Sequence, residues 1–346
     1  MDCCRANFQQ GGDAGFSERE VDWPRFLDLI RRHRIEGLAA RHLSHSADRV
    51  PRDVLESLAQ SARLIATQNL QASAECRLLR DRFSDGDLPL LFLKGLTVGA
   101  LAYGNPAIKS AIDIDILIDP ADLDRAAEQM KAAGYTLQTP KDSPQNTVLR
   151  RWHRSWKESV WAKGAVQLDL HTRLADNPRL IPRIDVHSPR QIVDVGNGAL
   201  LPTLAIDELF AYLAIHGASS AWFRLKWISD FAGILNGKSR DELKRLYRRS
   251  QELGAARAAG QALLISDTLF GTLQPAPELL EALRRSPETM RLRRTALRLL
   301  TAEEEPTERR GGTWPIHRSQ FDLAPGPKFK LSQLWHQARR RGSGFI

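Results

Sequence analysis

Residues 88–119, LPLLFLKGLTVGALAYGNPAIKSAIDIDILID, constrain the fold more than any other part of the chain. Short apolar runs bounded by glycine and proline indicate buried strands. We therefore predict a strand over 88–93, a helix over about 96–103 and a second strand over 112–118. The segment is predicted to form a strand–turn–helix–strand unit at the centre of an α/β core.

The second strand carries two carboxylates, Asp113 and Asp115, within an apolar run. Side chains two residues apart on a strand point to the same face, so the two acids project together. Neighbouring carboxylates resist burial unless a cation joins them, and Mg²⁺ is held by one or two carboxylates together with substrate phosphates. A calcium-binding EF-hand loop would need a glycine, and a phosphatase-type D-x-D-x-Thr/Val would not have Leu117. In the alternative interpretation, which remains open, Asp113 and Asp115 are solvated side chains at a strand end and form no metal site.

Lys94 and Gly95 precede these acids, at the start of the predicted helix. Backbone N–H groups at a helix N-terminus attract phosphate, and glycine allows close approach. These features together predict a site for a metal ion and a phosphorylated substrate.

The order strand, glycine turn, helix and D-x-D strand resembles the nucleotidyltransferase superfamily of DNA polymerase beta. The resemblance is closer to the uncharacterised nucleotidyltransferase family of bacteria and covers about three quarters of the chain. It is carried by LKG (93–95), Tyr103, Lys109, DIDILI (113–118), LDLH (168–171) and L-x-x-HG with W-x-x-LKW-x-x-D (213–230). Two positions depart from the family pattern: Lys109 replaces an expected arginine, which loses bidentate phosphate geometry, and Ile112 replaces a small or polar residue.

The resemblance implies an α+β fold, in which N-terminal and C-terminal helical regions flank a small mixed-sheet core. It implies transfer of a nucleoside monophosphate from an NTP, such as ATP, to a hydroxyl-bearing acceptor, with Mg²⁺ as cofactor and Mn²⁺ as the alternative. The acceptor is expected to be a protein, peptide or small molecule rather than nucleic acid. The expected metal ligands and catalytic residues are Asp113, Asp115 and Asp169. The expected nucleotide- or phosphate-binding residues are Lys94, Gly95, Lys109, His171, His216 and Lys226.

Two of these residues have a plainer interpretation. His216 is also compatible with a core histidine, and Lys226 with a surface ion pair to Asp230. His171 lies two residues after Asp169, where it could contact phosphate or hold that carboxylate in place.

Two other functions remain open. The chain could be a catalytically inactive accessory that binds a nucleotide or peptide, which Lys109 and Ile112 favour and the three acids disfavour. It could also be a toxin-like transferase that acts on RNA, although no RNA-binding signature supports this.

Five regions are predicted along the chain. They are a disordered N-terminus (1–18), a helical region (19–85), the nucleotidyltransferase core (86–204), a helical domain (205–304), and a linker with a basic tail (305–346).

The region 150–171 is predicted to form a hairpin, with strands over 157–162 and 165–171 around Gly164. Upstream, Trp152, Arg154 and Trp156 alternate, as residues on one face of a strand would. Such a face could stack a base and hold phosphate, or pack in the core.

The formal net charge of +9 suits an anionic partner, but an arginine-rich proteome would produce it as well. Three cysteines without metal spacing, and no signal-peptide pattern, predict a reduced, cytoplasmic protein. The apolar stretch around 88–103 is too short to span a membrane, so we expect no membrane partner, and the family resemblance implies a bacterial protein.

Overall fold

The computed structural model describes residues 1–5, 7–8, 21–109, 113–141 and 146–342. The expectations for Ile112, for loop residues 142–145 and for most of the N-terminal segment 1–18 lie outside these ranges. The chain forms two compact units. The helical unit comprises Met1–Leu58, Asn177–Pro182 and Phe210–Ile346, and the sheet unit comprises Ala59–Asp176 and Arg183–Leu209.

The sheet unit contains a mixed five-stranded sheet. Its strands are β1 (Leu90–Phe92), β2 (Asp113–Ile118), β3 (Thr136–Thr139), β4 (Glu158–Lys163) and β5 (Val166–His171). Their order across the sheet is β1-β2-β5-β4-β3, with β2 and β5 parallel and the other neighbours antiparallel. The predicted α+β fold with a mixed-sheet core is confirmed.

The alternation of residues along β2 and β5 explains how this sheet presents polar groups. Ile114, Ile116, Leu168 and Leu170 lie on one face of the sheet and are buried in the core of the unit. The intervening residues, the acids among them, therefore point to the opposite face. Burial of the isoleucines and leucines fixes the register, because a slip of one residue would place every acid in the core.

A separate hairpin pairs β6 (Arg190–Asp194) with β7 (Leu200–Leu204). The connecting turn contains Gly196, Asn197 and Gly198, all with positive φ. Asn and Gly tolerate this left-handed conformation, which explains why an Asn-Gly sequence forms a hairpin turn here.

The segment before β4 is a helix, which corrects the strand-like interpretation of the tryptophan-rich stretch. Residues Asn146–Ser155 are helical, so Trp152 and Trp156 lie one turn apart rather than on a sheet face. Their rings stack with centroids 5.3 Å apart, and the indole N–H of Trp152 donates to the carbonyl of Glu158 at 2.7 Å. Alternation over only five residues is compatible with a helix as well as a strand, so it could not distinguish the two.

Fifteen α-helices occur in the described ranges. They are α1 (Asp2–Arg5), α2 (Trp23–His33), α3 (Glu36–Leu43), α4 (Arg52–Asp85), α5 (Leu96–Tyr103), α6 (Leu123–Ala132), α7 (Asn146–Ser155), α8 (Ile206–Ser219), α9 (Leu225–Leu235), α10 (Arg240–Glu252), α11 (Ala256–Phe270), α12 (Pro277–Arg284), α13 (Pro287–Leu300), α14 (Trp314–Ser319) and α15 (Pro327–Gly342). Short 3₁₀ helices cover Ser44–Arg49, Pro120–Asp122 and Gln320–Asp322.

Helix boundaries in the helical unit follow local capping chemistry. Ser239 begins α10 with a capping box, in which its hydroxyl accepts the Glu242 N–H and the Glu242 carboxylate accepts the Ser239 N–H. Helix α1 falls within the segment predicted to be disordered, and Cys4 is buried there. Helix α14 lies within the segment predicted as a linker. None of the helices described is both long and apolar enough to span a bilayer.

Gly217, in the helical unit, is required by packing. A Cβ atom at this position would lie 2.4 Å from the Trp222 ring, and Trp222 is fully buried. Gly217 and Trp222 belong to the HG and W-x-x-LKW motifs that carry the family resemblance. Their close packing gives these two residues a structural role.

We expect Gly217→Ala to destabilise the protein by about 3 kcal/mol, because the indole must move within a packed core. Urea unfolding measures the change. Gly86→Ala is the control, since its Cβ would have no neighbour closer than 3.4 Å. Equal stability of the two variants would contradict this account of the glycine.

Candidate functional site

The parallel pairing of β2 with β5 places two acids side by side. Asp115 lies opposite Asp169 in the register, and Leu117 lies opposite His171. Paired residues of neighbouring strands share a face and lie about 5 Å apart. The sheet therefore brings together the two carboxylates that the sequence placed 54 positions apart.

Asp115 is almost fully buried and has two polar partners on one oxygen. The Lys94 Nζ lies 2.8 Å from Asp115 Oδ1, and His171 Nε2 donates to the same oxygen at 3.0 Å. Burial alone would raise the pKa of Asp115, but the Lys94 ammonium and the His171 hydrogen bond hold it well below its usual value. Asp115 is therefore ionised, and Lys94 supplies the compensating positive charge.

Asp169 is in the opposite electrostatic situation. It is buried, and the Gln167 amide donates a long hydrogen bond of 3.4 Å to its carboxylate. Burial raises the pKa of Asp169 to about 8, with further contributions from the negative charges of Glu158, Asp115 and Asp113. The cluster thus has an excess of carboxylates, which a further cation would relieve.

Glu158 is a fourth acid that sequence reasoning missed. It lies opposite His171 in the antiparallel pairing of β4 with β5, and its Oε2 is 3.3 Å from His171 Nε2. Burial would raise the pKa of Glu158, but the charges of Lys157, with which it forms an ion pair, and of His171 lower it to about 2. The register of the Gly164 hairpin could have revealed it, because Glu158 falls opposite His171 on the face of the acids.

Within the described ranges, one group of three residues could hold a metal ion. The ligand atoms of Asp115, Asp169 and His171 all lie within 4.8 Å of one another. The donor chemistry fits, because carboxylates suit hard divalent ions. His171 faces Asp115 through Nε2, and its buried Nδ1, on the other side of the ring, has no hydrogen-bond partner in the described part of the chain. Asp113 begins β2, is half-buried and is not one of the three.

The turn before α5 lies beside this group. Gly95 has φ +63°, a left-handed conformation that glycine adopts without strain, and it is the N-cap of α5. Gly95 has no side chain to cap this helix end, and Thr97 Oγ1 donates to the Lys94 carbonyl at 3.2 Å. A small cleft is lined by Lys94, Gly95, Asp113 and Asp115 among others. The turn therefore borders the acids, as an anion-binding loop would.

Lys109 lies in the segment between α5 and β2. Its side chain is buried, and its carbonyl accepts a hydrogen bond of 2.7 Å from Asn69 on α4. This hydrogen bond fixes the backbone at Lys109, four residues before Asp113.

A buried polar network supports the ends of β4 and β5. The His153 ring bonds Ser159 Oγ through Nε2 at 3.0 Å and Thr172 Oγ1 through Nδ1 at 2.9 Å, and Trp161 donates to the same serine. Burial lowers the pKa of His153 to about 3, with His171 contributing. The neutral ring ties together the residues next to Glu158 and His171. Only the fold reveals this role of His153.

His216 and Lys226 belong to the helical unit. His216, on α8, packs its ring near Tyr212 and, edge-on, near Trp227. Lys226, on α9, is half-buried, and Asp230 one turn later is buried. The structure thus brings together Lys94, Asp115, Asp169 and His171 in the sheet unit. His216 and Lys226 belong to the helical unit.

A mixed sheet whose adjacent parallel strands present acids beside a glycine turn is consistent with a nucleotidyltransferase core. A family model described as uncharacterised nucleotidyltransferase matches residues 19–271. The chain belongs to this family, whose name indicates nucleotidyltransferase activity. No curated protein matches the chain.

Proposed function

We propose that this protein transfers a nucleoside monophosphate from an NTP to a hydroxyl-bearing acceptor, a protein, peptide or small molecule. The observation that carries the proposal is the register of Asp115 against Asp169, with Lys94 on the first of these carboxylates. Such a cluster suits the handling of a cation and a triphosphate.

The proposed reaction is a substitution at the α-phosphorus. The acceptor oxygen forms a bond to this phosphorus, the bond to the bridging β-phosphate oxygen breaks, and pyrophosphate leaves. Asp113, Asp115 and Asp169 would hold a divalent ion, Mg²⁺ with Mn²⁺ as the alternative, which would neutralise the triphosphate and polarise the reacting oxygens.

Asp169 is the proposed base that takes the acceptor proton. Gly95 admits the phosphates to the N-terminus of α5, and Lys94 and Lys109 balance the charge that develops on pyrophosphate. Lys94 would move from Asp115 to the phosphates when a cation takes its place. His171 holds Asp115 and lies against Glu158, and we propose His216 and Lys226 as further nucleotide contacts.

A non-catalytic nucleotide-binding module is the second candidate. The Lys94–Asp115 ion pair already neutralises one buried acid without a metal ion, which a site that has lost turnover could retain. This candidate predicts NTP binding without product.

The identity of the products separates these functions. Slow transfer to water should release nucleoside monophosphate and pyrophosphate from an α-labelled NTP in Mg²⁺ or Mn²⁺, but not in EDTA. Release of nucleoside diphosphate and phosphate would place the attack at the γ-phosphorus and contradict the proposal. NTP binding without release of either pair of products would favour the non-catalytic nucleotide-binding module.

A further inference from the structure

Helix α15 presents an apolar stripe to solvent. Leu331, Leu334 and Trp335 are 66%, 57% and 49% exposed, and Ala338 is also exposed. Their spacing of i, i+3, i+4 and i+7 places them on one side of the helix. Isolated exposed apolar residues are ordinary, but a contiguous stripe marks an interaction site.

The opposite side of α15, which packs on the helical unit, is mainly polar. Gln333 accepts from the Asn177 amide at 3.0 Å and donates to Gln320 at 2.9 Å, and Gln337 donates to the His317 carbonyl at 2.7 Å. Phe329 is the buried apolar anchor of this side.

The amphipathic pattern of α15 is therefore inverted relative to that of an ordinary surface helix, because amides face the protein and leucines face outward. Packing within the described chain explains the amides but leaves the apolar stripe without a role.

Cations border the stripe along both edges. At 100° per residue, Lys328 and Arg339 fall beside Trp335, and Lys330 falls on the other edge, beyond Leu334. All three cations are exposed, and the Arg339 guanidinium lies 3.9 Å above the Trp335 ring. Residues 327–342 include no Asp or Glu. The helix thus offers apolar and positively charged contacts together and has no acidic residue of its own.

We propose that α15 docks this protein on an anionic membrane surface, with the stripe in the headgroup region and the cations among the lipid phosphates. An apolar stripe between two basic edges matches a flat surface that is apolar below and negative above. Tryptophan favours this interface, and long basic side chains reach the headgroups while their stems stay in the apolar layer. Such a helix lies in the plane of the membrane and does not cross it.

Cosedimentation of the full chain with vesicles tests the proposal. We expect binding to phosphatidylcholine vesicles that contain about 30% phosphatidylglycerol, little binding to phosphatidylcholine alone, and loss of binding at about 0.5 M salt. Leu331→Gln with Leu334→Gln should weaken binding about tenfold or more, because both leucines leave the apolar layer. The matched control is Leu70→Gln with Leu78→Gln, which changes two leucines of α4 that are 57% and 54% exposed and should bind like the wild type.

The altered side chains are exposed, so thermal melting should show that both double variants remain folded. Equal binding by the stripe variant and the wild type would overturn the proposal, because charge alone would then account for adhesion. No binding to the anionic vesicles would also overturn it, and the stripe would then be assigned to an acidic protein partner.

Discussion

Asp115→Asn is expected to reduce release of pyrophosphate from NTP by about 10³-fold while the protein remains folded. The carboxylate is buried, bonds both Lys94 and His171, and faces Asp169 across the parallel strands. An amide keeps the shape but loses the charge that would attract a divalent ion. The measurement is the rate of pyrophosphate release in Mg²⁺ or Mn²⁺, together with the melting temperature.

Asp119→Asn is the matched control for this variant. Asp119 directly follows β2, and its carboxylate caps the next turn by accepting the Ala121 N–H at 2.7 Å. Asparagine caps equally well, and the exposed ion pair of Asp119 with His187 contributes less than about 1 kcal/mol, so activity should be unchanged and stability nearly so. A folded Asp115→Asn protein with wild-type turnover would contradict the assigned role of Asp115.

Lys94→Met is expected to destabilise the metal-free protein by about 3 kcal/mol, because it leaves the buried Asp115 charge without its cation. The Lys94 ammonium lies 2.8 Å from the Asp115 carboxylate. Mg²⁺ or Mn²⁺ should then raise the melting temperature of the variant more than that of the wild type, since the ion no longer competes with lysine. Turnover should fall even so, because a phosphate contact is lost. Calorimetric melting with and without metal measures the effect.

Lys131→Met provides the comparison, since Lys131 pairs with Glu128 at 3.0 Å on α6 and both side chains are exposed. Its loss should cost less than about 1 kcal/mol and leave the metal response unchanged. A Lys94→Met protein that melts like the wild type and responds equally to metal would exclude Lys94 as the cation that compensates Asp115.

The core of the fold was predictable because its sequence signals are local. The apolar alternation around Asp115 fixed the face of the acids, and Gly95 marked the start of α5. Gly164 indicated the hairpin that carries Asp169. Each signal depends on a few consecutive residues and on burial of one strand face, which the sheet then enforces.

The features that were missed depend on contacts between different elements of the sheet unit. Glu158 joins the site through its position opposite His171, and His153 acts through Ser159 and Thr172. One interpretation placed Trp152 and Trp156 on a sheet face, whereas the stretch before β4 forms helix α7. A spacing of four residues satisfies both the strand and the helix periodicity. The ion pair of Lys94 with Asp115 could not be predicted, since the sequence suggested phosphate as the partner of the lysine.

The most direct test of the central claim is calorimetric titration of the four NTPs into the purified protein, in Mg²⁺ and in EDTA. The account predicts that at least one NTP binds in Mg²⁺, that EDTA abolishes this binding, and that Asp115→Asn loses it. Failure of every NTP to bind, or binding that is equal in EDTA and in Mg²⁺, would contradict a metal-dependent nucleotide site at Asp115 and Asp169.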